Sequence, residues 1–262
     1  MEITLSILGE QHPDVATSYN NIGAIYNGQG DYTKALEYYA KALEIWLSIY
    51  GEQHPNVATS YNNIGFVCYN QGDYTKALEY YEKSLAIWLS ILGDNHPDVA
   101  LSYSNIGSVY DSQGDYTKAL EYYEKALEIY LSIFGEQHPD VAMIYKNIGW
   151  IYAYQGDFSK ALEYFEKSLE IELSIYGERH PNVAISCNLV GAIYFHQGDY
   201  TKSLECFEKA LEIKLSILGE QHTDVADSYE NLFEVYTKLG DTEKAEENRQ
   251  KAEEIKAALE QQ

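Results

Sequence analysis

The stretch GEQHPDVATSYNNIGAIYNGQGDYTKALEYYAKALEIWLSIY, residues 9–50, decides the fold because the chain keeps returning to it. Its opening Gly9 is followed by Gly51, Gly93, Gly135, Gly177 and Gly219, always 42 residues apart and without an insertion. Positions within a repeat are numbered below from that glycine. Self-similarity at a fixed period marks an array of supersecondary units, so length here counts repeats rather than domains.

Each repeat predicts two helices. Positions 5–20 carry apolar residues at 7, 11, 14 and 18, which in the first copy are Val15, Tyr19, Ile22 and Tyr26. That is helical spacing without alternation. Small residues at 8 and 15 (Ala16, Gly23) flank the stripe and allow a second helix to come close. The segment GQGD breaks the pattern, and Asp31 is a good cap for the next helix, over positions 24–41. There Lys34, Glu37, Lys41 and Glu44 form a charged face of i,i+3 and i,i+4 partners, while the rest of the circumference is apolar.

A histidine precedes the proline of every GEQHP-like segment except the last, where threonine follows it: His12, His54, His96, His138, His180 and His222. Proline suits the first helical position, which places the histidine at the cap. One such histidine per repeat cannot converge on a single ion, so the reading is structural and no metal or cofactor is expected.

A helix pair that cannot bury its own apolar faces must stack on its neighbours. The expected fold is therefore all-α, an α-solenoid of antiparallel helix-turn-helix repeats. Residues 1–8 align with the second half of a preceding second helix. Full repeats span 9–50, 51–92, 93–134, 135–176 and 177–218. The last repeat, 219–262, ends in a polar capping helix, where Glu246, Asn248, Arg249 and Glu253 replace the usual Leu, Tyr, Tyr and Leu.

The net charge of −23 leaves no basic stripe for a phosphate backbone or an anionic membrane surface. The N-terminus has neither a basic leader nor a long apolar run. Cys68, Cys187 and Cys206 each replace a tyrosine of the repeat, which suggests buried free thiols and a cytoplasmic location.

These residues resemble the tetratricopeptide repeat. Its aromatic, Leu-Gly and Tyr pattern on the first helix appears as Tyr19, Ile22–Gly23 and Tyr26. Its second-helix pattern appears as Ala35, Tyr39 and Ala42. Departures fall at Cys68, Val190, Ser203 and Phe233, and Leu47 stands where the family has its closing proline. The 42-residue unit with HPxVA and YNNIG or SNIG cores is similar to the kinesin light chain type and related bacterial arrays. The resemblance implies a right-handed superhelix with a concave groove lined by first helices, which holds extended or helical peptides.

The groove face comprises positions 9, 12, 13, 16 and 20, with 19 at its margin. Position 16 reads Ala24, Phe66, Ser108, Trp150, Ala192, Glu234, and position 20 is equally diverse, while core position 7 hardly changes. Candidate aromatic anchors are Phe66, Trp150, Tyr154 and Phe195. Asn21, Asn63, Asn105 and Asn147 at position 13 could hold a peptide backbone or bond to the next repeat. Asn20, Asn62, Lys146 and Asn188 at position 12 are further candidates. The family's carboxylate clamp needs lysine and asparagine at positions 12 and 16; with one lysine and no asparagine there, free-carboxylate capture is not expected. A neutral, apolar or basic protein partner fits this acidic chain better than an acidic one.

No phosphate loop, HExxH or nucleophile elbow is present, and the carboxylates belong to a charged helical stripe, so no enzyme is expected. The leading function is a protein-interaction scaffold. The alternative is a structural module stacking end to end through Ile3, Leu5, Ile7 and Leu8.

Overall fold

A computed structural model describes residues 9 and 11–260, and every described element is helical. The helices are α1 (Pro13–Gly28), α2 (Tyr32–Tyr50), α3 (Pro55–Asn70), α4 (Tyr74–Leu92), α5 (Pro97–Ser112), α6 (Tyr116–Phe134), α7 (Pro139–Tyr154), α8 (Phe158–Tyr176), α9 (Pro181–Gln197), α10 (Tyr200–Leu218), α11 (Thr223–Leu239) and α12 (Thr242–Leu259). Odd-numbered helices are the first of each repeat and even-numbered helices the second.

The chain forms two compact units, Met1–Ile133 and Phe134–Gln262. In the first, α1 packs on α2 and α3 on α4, while α2 and α4 each pack on the first helix of the following repeat. The second repeats the scheme through α7 to α12. Val15, Ala16, Val57 and Ala58 from α1 and α3 enclose Ala42, Ile45 and Trp46 of α2, so α2 lies between two first helices. The charged face of the second helices holds ion pairs such as Lys41–Glu37 and Lys83–Glu79, both 2.6 Å and exposed. Exposed pairs of this kind contribute little stability.

The histidines cap directly. Nδ1 of His54 accepts the Asn56 N–H at 3.2 Å, and Nδ1 of His138 accepts that of Asp140 at the same distance. The other four first helices are capped likewise. Aromatic residues closing the previous helix cover three of these rings, with Tyr50–His54, Phe134–His138 and Tyr176–His180 stacked at 3.9–4.0 Å. Gly51 at φ 74° ends α2 where any side chain would be strained.

Aspartates cap the second helices: Asp31 and Asp73 accept the N–H of Lys34 and Lys76. Both carboxyls sit below their ordinary value of 3.8, chiefly through side-chain hydrogen bonds from those lysines and then through the backbone bonds. A carboxyl lowered on folding stabilises the fold above its unfolded value, and that contribution disappears as pH falls through the folded value. Asparagine caps as well but does not titrate. The expected result is that Asp31→Asn with Asp73→Asn flattens the loss of stability below about pH 4, measured as urea midpoints across an acid series. Identical acid limbs in parent and variant would exclude these caps as the cause.

Cys68 and Cys187 are buried, Cys206 is half-buried, and none is bridged. Burial raises all three thiols, that of Cys206 to about 11, which leaves them protonated and inert at neutral pH. Among the described residues no helix is long and apolar enough to cross a membrane.

Candidate functional site

The first helices bury positions 7, 8, 14 and 15 against second helices, which leaves 9, 13, 16 and 20 on the outer side. In the first unit this face is partly self-bonded. Asn63 Nδ2 donates to Asn20 Oδ1 at 2.9 Å, and Asn105 Nδ2 donates to Asn62 Oδ1 at 2.8 Å. The position-13 amide of one repeat thus ties to the position-12 amide of the one before. A carboxamide has two N–H donors and an oxygen with two lone pairs, so each donating amide keeps its own oxygen and a second N–H. Asn21 is exposed and Asn147 half-buried. Phe66 of α3 is 45% exposed on the same face. Tyr69 and Ser112 share a hydrogen bond of 2.9 Å, and Ser108 and Tyr123 one of 3.0 Å. Asp111, half-buried at the margin, is held above the ordinary carboxylate value by desolvation.

The second unit concentrates aromatic surface. Trp150 and Tyr154 lie one turn apart on α7, 42% and 65% exposed, with rings stacked at 5.7 Å. The indole also meets the buried Phe165 of α8 edge-on at 5.7 Å. This contact fixes its orientation from below while its other side faces solvent. Phe195 is half-buried and meets Tyr200 edge-on at 5.4 Å, and its neighbour His196 stacks on Phe158 at 5.2 Å. Asn188 is half-buried, and its Oδ1 has no hydrogen-bond partner among the described residues.

Lys146 turns inward. Its Nζ lies 2.7 Å from Oε1 of Glu172, a carboxylate only 2% exposed. Ser186 of α9 donates to the other oxygen, Oε2. Glu172 escapes a reading that follows one helix at a time, because it looks like one more acid of a charged stripe. Comparison across two helices would have found it. Positions 12 and 38 read Asn20/Trp46, Asn62/Trp88, Ser104/Tyr130, Lys146/Glu172, Asn188/Lys214 and Glu230/Lys256. Lysine and glutamate appear together in the fourth repeat and, with places exchanged, in the sixth, where Lys256 and Glu230 pair at 2.7 Å.

Ile3, Leu5, Ile7 and Leu8 lie outside the described residues. Among those described, no group of three or more metal-ligating side chains converges. A cavity of about 480 Å³ lies between the segment entering α5 and the face of α6, lined by Asp94, Asn95, Tyr103, Lys125, Glu128 and Ser132. Smaller hollows recur at equivalent positions in the fourth and fifth repeats. That recurrence makes them a product of repeat geometry rather than a specialised site.

The sequence profile described as "Tetratricopeptide repeat" matches residues 1–45, 14–69, 57–132, 98–174 and 184–258, and a second of the same description matches 146–214. Among curated proteins no sequence matches significantly. Of solved structures, BtubC (BKLC) from P. vanneervenii is 26% identical with a TM-score of 0.75, covering 88% of this chain and 90% of that one. A putative kinesin light chain of nearly identical TPR-like repeats from Podospora anserina is 21% identical with a TM-score of 0.65, covering 78% and 97%. The apo form of RapI is 21% identical with a TM-score of 0.68, covering 100% and 89%.

Proposed function

The chain belongs to the tetratricopeptide repeat family, and from that premise we propose that it is a non-catalytic scaffold whose first-helix faces hold a segment of a partner protein. One observation carries this reading. Trp150 and Tyr154 stack on each other while 42% and 65% exposed, a paired aromatic surface on the outer face of α7. Two large rings held at fixed positions offer contact area at low conformational cost, which is why such residues dominate binding energy at interfaces. Phe66 gives the first unit a smaller anchor of the same kind. The carboxamide groups left over on Asn63 and Asn105 suit a peptide backbone, and Asn21 and Asn147 suit it equally.

A neutral, apolar or basic segment complements the charge of −23. Asp111 supports this, because the charge of a lysine or arginine brought against an under-solvated carboxylate offsets its desolvation. Lys146 is better assigned to the Glu172 pair than to ligand contact.

The test is a peptide-display selection on the parent, counter-selected against a variant carrying Phe66→Ala, Trp150→Ala and Tyr154→Ala. The three side chains are exposed, so helical circular dichroism should match. Selected peptides should bind the variant at least about tenfold more weakly, as loss of one hot-spot ring at about 2 kcal/mol implies. Equal affinity for both proteins would remove the anchors from the proposal, and an empty selection would remove the groove.

A further inference from the structure

Position 38 is aromatic throughout the first unit, as Trp46, Trp88 and Tyr130. Trp46 shows what the position does. It is 6% exposed and packs among Val15, Ala16, Val57 and Ala58, wedged between the first helices of two successive repeats. The fifth repeat keeps these surroundings, with Val183 and Ala184 on α9 and Val225 and Ala226 on α11, all buried. It lacks the ring: position 38 is Lys214.

Lys214 does not replace a ring. Its Nζ donates to Ser228 Oγ at 2.9 Å and to the Asp224 carbonyl oxygen at 3.1 Å, so the chain bends toward α11. Desolvation holds the ammonium below its ordinary value, and only Asp224 and Asp227 oppose that effect. Beside the lysine stem a notch of about 110 Å³ remains, walled by Ala184, Ile185, Ile213, Ile217 and Leu218, with Asp224 at its lip. Ile185, Ile217 and Leu218 are exposed around it. In the fourth repeat the Glu172 carboxylate at this position is taken by Lys146 and Ser186.

We propose that this notch receives one aromatic side chain, tryptophan or tyrosine, presented by a protein partner. The observation behind it is that the equivalent place beside α2 is filled by the chain's own indole, Trp46. The walls are aliphatic, and the lysine ammonium alongside complements the negative face of a π-system. The notch is open and covers a ring only in part. A free aromatic molecule would hold weakly there, while a side chain is helped by the contacts of its own backbone with the exposed isoleucines. The site lies at the α9 and α10 ends and does not rest on Trp150, Tyr154 or the groove reading.

The test uses the full chain with isoleucine and leucine methyl labels and N-acetyl-tryptophanamide as probe. Saturable shifts of the Ile185, Ile213 and Ile217 methyls are expected at about millimolar probe, in the range a single buried ring can support. N-acetyl-leucinamide should give much smaller ones. Lys214→Trp, which restores the residue of the first two repeats, should abolish the shifts while the fold is kept. Ile217→Asp, at an exposed wall, is the second blocking variant should Lys214→Trp not fold. Trp150→Ala with Tyr154→Ala should leave the shifts unchanged, which separates this site from the groove. Absence of saturable shifts in the parent, their persistence in a folded blocking variant, or equal response to the leucine probe would overturn the proposal.

Discussion

Phe165→Ala should destabilise the protein by about 3–5 kcal/mol, and Gly149→Ala by about 1–3 kcal/mol as an overpacked core; together they should cost less than their sum. Phe165 is among the largest fully buried side chains, lying with Ala161, Val190 and Ile193 in one cluster. Its ring packs flat against the backbone of α7. A methyl group added at Gly149 would lie 2.7 Å from the ring atoms Cδ1 and Cε1, and a phenyl ring held on all sides cannot yield that distance. Once the ring is removed, the methyl group has room. The helix-propensity gain of alanine over glycine, about 1 kcal/mol, is then unopposed, and the sign of Gly149→Ala reverses. Urea denaturation of the four proteins of this cycle is the measurement. Additive costs would show that the glycine serves something other than the close approach of α7 and α8.

The protein has performed the reciprocal exchange itself. Gly23, Gly65, Gly107, Gly149 and Gly191 each face a ring at position 31, namely Tyr39, Tyr81, Tyr123, Phe165 and Phe207. In the sixth repeat position 15 becomes Phe233 and position 31 becomes Arg249. Phe233 packs against the terminal core cluster, while Arg249 stays outside and pairs with Glu246 at 2.8 Å. The ring has changed helices. What looks in the sequence like a broken repeat is a conserved volume supplied from the other side.

Legibility in the sequence followed this distinction between one helix and two. The 42-residue period, the helix starts at the HP and GD dipeptides and the apolar stripe at positions 7, 11, 14 and 18, whose tyrosines at 11 and 18 are mostly half-buried, are local patterns, read along one helix at a time. The capping role of His12 and its equivalents was legible because proline fixes the register of the first turn. The outcome at Asn63 and Asn105 was not, since a carboxamide bonds equally well to a peptide or to the neighbouring Asn20 and Asn62, and only the distance between repeats selects. The inward turn of Lys146 was hidden for the same reason, as its partner is 26 residues away on another helix. Periodicity along one helix reveals its buried face; pairing between faces needs positions compared two at a time.

That pairing gives the second large effect. Lys146→Met should destabilise the protein by about 3–5 kcal/mol, because it leaves the Glu172 carboxylate in the interior without its cation. Lys146 is 18% exposed and Glu172 2%, so little solvent screens the pair, unlike Lys256 and Glu230 in the sixth repeat, which are 42% and 51% exposed. Ser186 alone would then hold a carboxylate built for two donors. Replacing both partners has the opposite expectation. Lys146→Asn with Glu172→Trp recreates the Asn20/Trp46 pair of the first repeat, and exchange of a buried ion pair for well-packed apolar volume is neutral or stabilising by about 1–4 kcal/mol. Ser186 need not be orphaned, since Ser60 and Ser102 at the same position donate to the carbonyl four residues earlier at 2.8 Å. Thermal and urea denaturation of single and double variants would decide. A Lys146→Met cost below about 1 kcal/mol, the level of an exposed pair, would mean that Glu172 finds water or another donor. The paired change of positions 12 and 38 would then be drift rather than compensation.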